Sequence, residues 1–397
     1  MRQNEAMRSI VEREQRVTPL ELFFDLVFVY AVTQVTTMMS QDLTWRGVGR
    51  GVLVLAALWW AWTGYAWLTN MLEPEEGLPR AGMFGAMAAM LVAAIAVPGA
   101  FGSNAVLFGA AYVLVRLVNL ALYAIAGRRD PDFVRAFIRF APTAAIGPLL
   151  ILAASFVEGR VRLALWVIAI LALYSGPLLD RGQGWRLSPA HFAERYGLIV
   201  IIALGESIFA IGFATAGVVI TPATIAAAVL GLAVIAALWW AYFDVFAVLA
   251  QQQLSATSGV TRARLARDCY SYLHMPMIAG IVLFALGLKI TTHDVHQPLA
   301  VVPAVALCGG LSLYFFTHVL TRLRLVALIR RTTEERPGWI GPGRLAAAIG
   351  TLAAIPAAVA LPALAALTLV AAVCWALIVW DLLHYREHRI QVREARP

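Results

Sequence analysis

The chain has 397 residues, 61% of them hydrophobic and only 14% charged, with a mean hydropathy of +0.77. Soluble domains average roughly 45 to 50% apolar and about 25% charged residues, so the composition excludes an ordinary soluble enzyme. The net charge of +8 rests on arginine, with Lys289 the single lysine; the arginines lie between apolar runs and form no basic, aromatic-studded face of the kind nucleic acid requires.

A membrane-spanning helix uses ~20 apolar residues, and runs of that length recur along the whole chain. Broken at charges, glycines and prolines, they predict helices at 20–39, 48–71, 82–101, 104–126, 133–157, 161–180, 192–214, 221–249, 269–290, 299–325, 344–361 and 363–385. Only Leu361-Pro362 separates the last two, so a single kinked helix is the alternative there. The expected fold class is an all-α polytopic membrane protein of about twelve transmembrane helices.

The first sixteen residues are polar and mixed in charge, and no small-residue cleavage site follows a short apolar stretch, so the first helix is expected to be an uncleaved anchor. Assigning every segment on the N-terminal side of the membrane to the cytoplasm places twenty-four basic residues there and five across the bilayer, with Arg116 and Arg195 inside helices. The positive-inside rule then expects both termini in the cytoplasm. Abundant alanine and the preference for arginine over lysine suggest a GC-rich bacterial genome, and hence the bacterial cytoplasmic (inner) membrane.

Two halves resemble each other. Leu58-Trp59-Trp60-Ala61-Trp62 recurs as Leu238-Trp239-Trp240-Ala241-Tyr242, and each follows an acid-bearing helix, around Glu21 in the first half and Glu194 in the second. Tyr112, Arg116, Asn119 and Tyr123 share a face of the fourth helix, and Tyr314, His318 and Thr321 share one of the tenth. Six helices per repeat is an even number, so residues 1–180 and 181–397 are expected to be parallel repeats related by an axis along the membrane normal.

Ionisable side chains inside a bilayer are costly and mark candidate functional sites. Glu21 and Asp25, four apart on one helical face, repel each other and need a cation or a proton. Glu206, in Ala203-Leu204-Gly205-Glu206-Ser207, lies past the middle of the seventh helix. Arg116, with Asn119 one turn on, is the one arginine near the bilayer centre and so the expected counter-charge for Asp25 or Glu206. Glu194, His274 and His318 fall in the cytoplasmic third and suggest a polar vestibule. Trp59, Trp60, Trp239 and Trp240 cover several helix faces; packing is one reading and an aromatic-lined cavity for a cation or a greasy ligand the other. The fifth, sixth, eleventh and twelfth helices read as lipid-facing scaffold. Cys269, Cys308 and Cys374 are widely spaced in apolar segments and suit neither zinc nor a disulfide framework, so no metal or other cofactor is expected.

The segments Thr18-Pro19-Leu20-Glu21-Leu22-Phe23-Phe24-Asp25-Leu26-Val27-Phe28-Val29, Trp59-Trp60-Ala61-Trp62-Thr63-Gly64-Tyr65, and His191-Phe192-Ala193-Glu194-Arg195-Tyr196-Gly197-Leu198 leading to Leu204-Gly205-Glu206-Ser207 together resemble the bacterial low temperature requirement protein A (LtrA) family, over nearly the whole chain. The resemblance implies an integral membrane protein linked by name to growth in the cold. It singles out Glu21, Asp25, Glu194 and Glu206 as motif positions and supplies no catalytic residue.

Two pseudo-symmetric six-helix halves with buried acids near their interface favour an ion- or proton-coupled transporter or channel, with the lipid bilayer and a small ion or solute as partners. No GxxxxGK[ST] loop for nucleotide hydrolysis is present. The alternative is an integral membrane enzyme in which a protonated Asp25 starts acid catalysis on a lipid or isoprenoid and the tryptophans stabilise a developing cation.

Overall fold

The computed structural model describes residues 17–72, 74–179, 184–185, 187–216, 219–332 and 342–384. Among them are twelve helices long and apolar enough to cross a membrane, and no strand: α1 Pro19–Gln41, α2 Trp45–Leu68, α3 Gly77–Gly99, α4 Ala105–Gly127, α5 Pro131–Ala154, α6 Gly159–Leu178, α7 Pro189–Thr215, α8 Pro222–Ala256, α9 Gly259–His293, α10 Val301–Ala327, α11 Pro342–Ala360 and α12 Ala363–His384. The chain is a multi-pass, all-α membrane protein. The expected number holds, and α11 and α12 are separate helices. The boundary expected at residues 180 and 181, the termini, and Arg181, Arg186 and Arg336 of the topology argument lie outside the described residues.

Helix starts are written as cap-proline dipeptides. Thr18-Pro19, Asp130-Pro131 and Thr221-Pro222 each place a side-chain oxygen over free N–H groups of the first turn, and proline stands where no intrahelical donor is needed. Hydropathy alone sets α8 and α9 too short, because both helices continue past their apolar runs through Gln251–Gln253 and Arg262–Arg264. Both also contain a π-helical stretch, Tyr242–Phe246 in α8 and Ala266–Tyr272 in α9. Such wide turns shift the faces of a helix and recur at functional sites.

Helix α2 is the most buried span and occupies the centre. In the first half α1 packs on α2 and α3, α3 on α4, α4 on α5, α5 on α6, and α6 returns to α2; in the second, α7 packs on α8 and α9, α9 on α10, α10 on α11, α11 on α12, and α12 returns to α8. The halves meet where α1 and α2 face α7 and α9. Gly280 of α9 and Gly310 of α10 let two backbones touch: a Cβ on either would sit 2.6 Å from the carbonyl oxygen of the other. Leucines and isoleucines such as Ile138, Leu149, Leu171, Ile349 and Leu383 face outward from α5, α6, α11 and α12, as expected of lipid-facing scaffold. One residue corrects that expectation: Arg344 of α11 is buried and pairs with Asp381 of α12 at 2.8 Å.

Candidate functional site

Helices α1 and α7 begin on the same membrane face, termed proximal, and their first turns meet. In α1 the Thr18 hydroxyl accepts the Glu21 N–H at 3.3 Å while the Glu21 carboxylate accepts the Thr18 N–H at 2.9 Å, a reciprocal box that fixes the Glu21 side chain. Its other oxygen accepts from Arg195 Nη1 of α7 at 2.5 Å, and Arg195 Nη2 donates to Asp25 Oδ1 at 2.8 Å. One turn before Arg195, His191 Nε2 lies 3.1 Å from Glu21 Oε2. From α2 the Trp62 indole donates to Asp25 Oδ1 at 2.8 Å, and its ring lies 5.8 Å from the Arg195 guanidinium.

All five side chains are buried. Buried ions persist when each is paired and hydrogen-bonded, and Arg195 does this for both carboxylates at once. Two carboxylates against one guanidinium leave the cluster one positive charge short of neutrality. A single proton, on His191 or on a carboxyl group, completes it. Among the described residues Asp25 Oδ2 and His191 Nδ1 have no hydrogen-bond partner.

Behind this cluster, Ser271 in the π-helical stretch of α9 ties the halves together. Its carbonyl accepts from Trp59 Nε1 at 2.8 Å, and its hydroxyl meets Trp67 Nε1 at 2.9 Å and the Tyr196 hydroxyl at 3.1 Å. His274 is satisfied at both ring nitrogens, by the Tyr242 hydroxyl at 2.8 Å and the Cys269 carbonyl at 2.8 Å; a neutral ring donating from Nδ1 and accepting at Nε2 fulfils both contacts. His318 stacks on Phe246 and accepts from Arg344 Nε at 3.3 Å, while Arg344 Nη2 donates to the Ala241 carbonyl at 2.8 Å.

The structure does not bring Asp25, Glu206 and Arg116 together. Asp25 lies six residues into α1 and Glu206 seventeen residues into α7, which at about 1.5 Å per residue sets them roughly 16 Å apart in depth. Glu206 accepts from Thr33 at 2.5 Å in the distal half, where Lys289 donates to Ser40 at 3.0 Å. Arg116 Nη1 reaches the Trp60 carbonyl at 3.4 Å and Asn119 Oδ1 at 3.3 Å, with no carboxylate among its partners. The counter-charge for the α1 acids is therefore Arg195: depth alone had favoured Arg116, but depth says nothing about which way a side chain faces. Glu194 is exposed and accepts the Val17 N–H at 3.3 Å, outside the cluster. Trp59 is buried and Trp60 nearly so, whereas Trp239 is 47% exposed on the outer surface, stacked on Phe243, and Trp240 is partly buried. Of these four tryptophans, Trp60 is the one that lines a cavity, with Trp67 and Trp185.

Residues 16–379 match the family model described as Bacterial low temperature requirement A protein (LtrA). The chain belongs to this family. A relative 31% identical over 305 residues, covering 74% of each chain, is an uncharacterized protein of Rhizobium meliloti (strain 1021). No solved structure matches the chain. In this LtrA member, the α1 and α7 motifs that carried the resemblance are the two segments whose charges meet. By depth Arg195 belongs with the polar vestibule expected from the sequence, but no partner was assigned to it and His191 had no role, although a signal was present. Thr18-Pro19-x-Glu21-x-x-x-Asp25 aligns on its cap-proline dipeptide with Ser188-Pro189-x-His191-x-x-x-Arg195, so acids on one helix face bases at the same positions of the other. Among the described residues no group of three or more His, Cys, Asp or Glu side chains is placed to hold a metal.

Proposed function

We propose that this LtrA-family protein is a proton- or ion-coupled transporter built from two parallel six-helix repeats, with its coupling site where α1 meets α7. The observation that carries the reading is the cluster of Glu21, Asp25, His191 and Arg195, because it joins the halves through charge in a buried place and needs one proton for neutrality. Gain or loss of that proton changes how strongly the halves attract, and that couples ion occupancy to their relative movement.

Matching order of packing supports the repeats, since the contacts α1–α2, α1–α3, α3–α4, α4–α5, α5–α6 and α6–α2 recur as α7–α8, α7–α9, α9–α10, α10–α11, α11–α12 and α12–α8. So do equivalent contacts: Tyr112 of α4 donates to the Ala57 carbonyl of α2 at 2.8 Å, and Tyr314 of α10 to the Leu238 carbonyl of α8 at 2.7 Å. Each lies just before or within the recurring Leu-Trp-Trp segment. The acid-catalysis alternative needs a carboxylic acid facing the aromatic cavity, but Asp25 is engaged by Arg195 and Trp62, and no Asp or Glu is among the cavity-lining residues.

Proteoliposomes carrying a pH-sensitive dye test the reading under an inward proton gradient, alone and with panels of small carboxylates, amines and sugars. The expected result is solute-dependent proton entry that Asp25→Asn removes while the protein still purifies as a folded species. Proton movement that no solute alters and Asp25→Asn leaves unchanged counts against coupling at this site. Turnover of a prenyl or lipid substrate without any flux would replace transport by enzymology.

A further inference from the structure

We propose that the cavity beside Arg116 binds an organic carboxylate with a flat apolar body. The cavity, about 590 Å³ with the open solvent at its mouth included, lies among α2, α4, α5, α6 and the proximal end of α9. Its walls include Trp60, Trp185, Tyr123 and Phe140. Three arginines line it: Arg116 within the bilayer and Arg264 and Arg267 at the start of α9. Among the described residues no carboxylate lines it, and the nearby Asp268 pairs with Arg267 at 2.7 Å and with Arg324 at 2.9 Å.

Arg116 is the decisive group. The helix Ala105–Gly127 puts it eleven residues from either end, at the middle of the bilayer, and it is 1% exposed. Unlike Arg195, it has no carboxylate partner among the described residues, and its Nε and Nη2 have no hydrogen-bond partner among them either. These two nitrogens form one edge of the guanidinium, with parallel N–H groups spaced for the two oxygens of a carboxylate. The Asn119 amide nitrogen next to it is also without a partner among the described residues. A buried cation that keeps an unsatisfied fork is costly, and an anion supplied from outside removes the cost.

Gly64 keeps the space open, since a Cβ there would lie 2.9 Å from Asn119 Oδ1 and collide with Arg116 Nη1. The aromatic walls select an apolar body over a compact inorganic ion. The Arg116 edge is covered in this conformation, so the ligand reaches it when the side chains around it give way. If the transport reading holds, this site names the class of solute; binding itself does not depend on that reading.

The test is binding to the full-length protein in lipid nanodiscs, read by tryptophan fluorescence and thermal shift with no gradient applied. Benzoate is the probe, with benzamide as its uncharged counterpart and inorganic phosphate as the compact anion. Saturable quenching and stabilisation by benzoate, at least tenfold stronger than by either control, is the expected result. Arg116→Gln should abolish both and, without ligand, melt no lower than the parent, because it removes an unpaired charge. Gly64→Ala, which displaces the guanidinium, should weaken benzoate at least tenfold and stands in if Arg116→Gln does not fold. Equal binding of benzoate and benzamide, a preference for phosphate, or undiminished benzoate binding in either variant overturns the proposal. Benzoate binding without any flux would leave this inference standing and sink the transport reading; proton-coupled flux of other solutes without benzoate binding would do the reverse.

Discussion

Removing the Arg195 charge tests the α1–α7 cluster most directly. Arg195 makes charged hydrogen bonds to Glu21 at 2.5 Å and to Asp25 at 2.8 Å, all three side chains are 0 to 1% exposed, and no solvent screens them. A hydrogen bond to a charged group contributes about 1.5 to 3 kcal/mol, and stranding a buried ion by deleting its partner costs about 3 to 5 kcal/mol. Arg195→Gln is therefore expected to destabilise the protein by about 4 kcal/mol, unless the two stranded acids take up protons and recover part of that loss. The triple variant Glu21→Gln, Asp25→Asn, Arg195→Gln removes all three charges and should lie within about 2 kcal/mol of the parent, because neutralising a whole buried network costs far less than halving it. The assay is unfolding in mixed micelles by a denaturing detergent, followed by tryptophan fluorescence, to which Trp62 at the cluster contributes. A loss below about 1 kcal/mol for Arg195→Gln, or a triple variant no more stable than the single one, would show that the cluster is not the electrostatic joint between the halves.

Ser271→Ala deletes the hydroxyl that serves Trp67 and Tyr196 and should cost about 1 to 3 kcal/mol in the same unfolding assay, with a shift in tryptophan emission; unchanged emission and stability would show that other groups take over these donors. Arg344→Gln strands Asp381 and breaks the bond to the Ala241 carbonyl, so it should lower thermal stability, and adding Asp381→Asn should recover part of the loss. No recovery would mean that the carbonyl contact, and not the ion pair, is what α11 requires. For the topology expected from the arginine distribution, alkaline phosphatase fused after Gly159 should be active and fused after Arg331 inactive; the reverse pattern would invert the membrane orientation without altering the fold.

The helices were legible because each is an apolar run of bilayer length with a punctuated start, and the cap-proline dipeptides at Thr18, Asp130 and Thr221 mark first turns to within a residue or two. Helix length was less legible where polar residues continue a helix: hydropathy begins α9 at Cys269, and the span begins at Gly259, because backbone hydrogen bonding does not stop where side chains become polar. Partner choice was the least legible. Composition and spacing give a residue's depth, but which residues meet also depends on how each helix is rotated about its axis. Glu21 and Asp25 were recoverable as a same-face pair from their spacing of four. Arg195 had the right depth and was passed over for Arg116, whose central position drew attention away from its azimuth.

The two buried arginines make opposite electrostatic statements, and the contrast bears on what the molecule does. Arg195 is neutralised within the chain by acids on the facing helix, at sequence positions that correspond across the two halves, so its charge is spent on holding α1 to α7. Arg116 sits in the middle of the membrane with a long bond to a carbonyl, another to Asn119, and an unused fork. A fold that needed Arg116 only for stability would do as well with a neutral side chain of similar length, since an unpaired buried charge lowers stability. Its presence in a cavity without carboxylates among the described residues is explained if the missing counter-charge arrives as a ligand. On the proposed reading the two centres divide the labour: a joint whose single proton sets how tightly the halves close, and a cationic pocket, lined in part by Trp60 and Ser271, that an anion occupies. Ser271 touches both, through Tyr196 and Trp59 on the joint side and Trp67 on the pocket side, so on the proposed reading it is the residue through which one site biases the other.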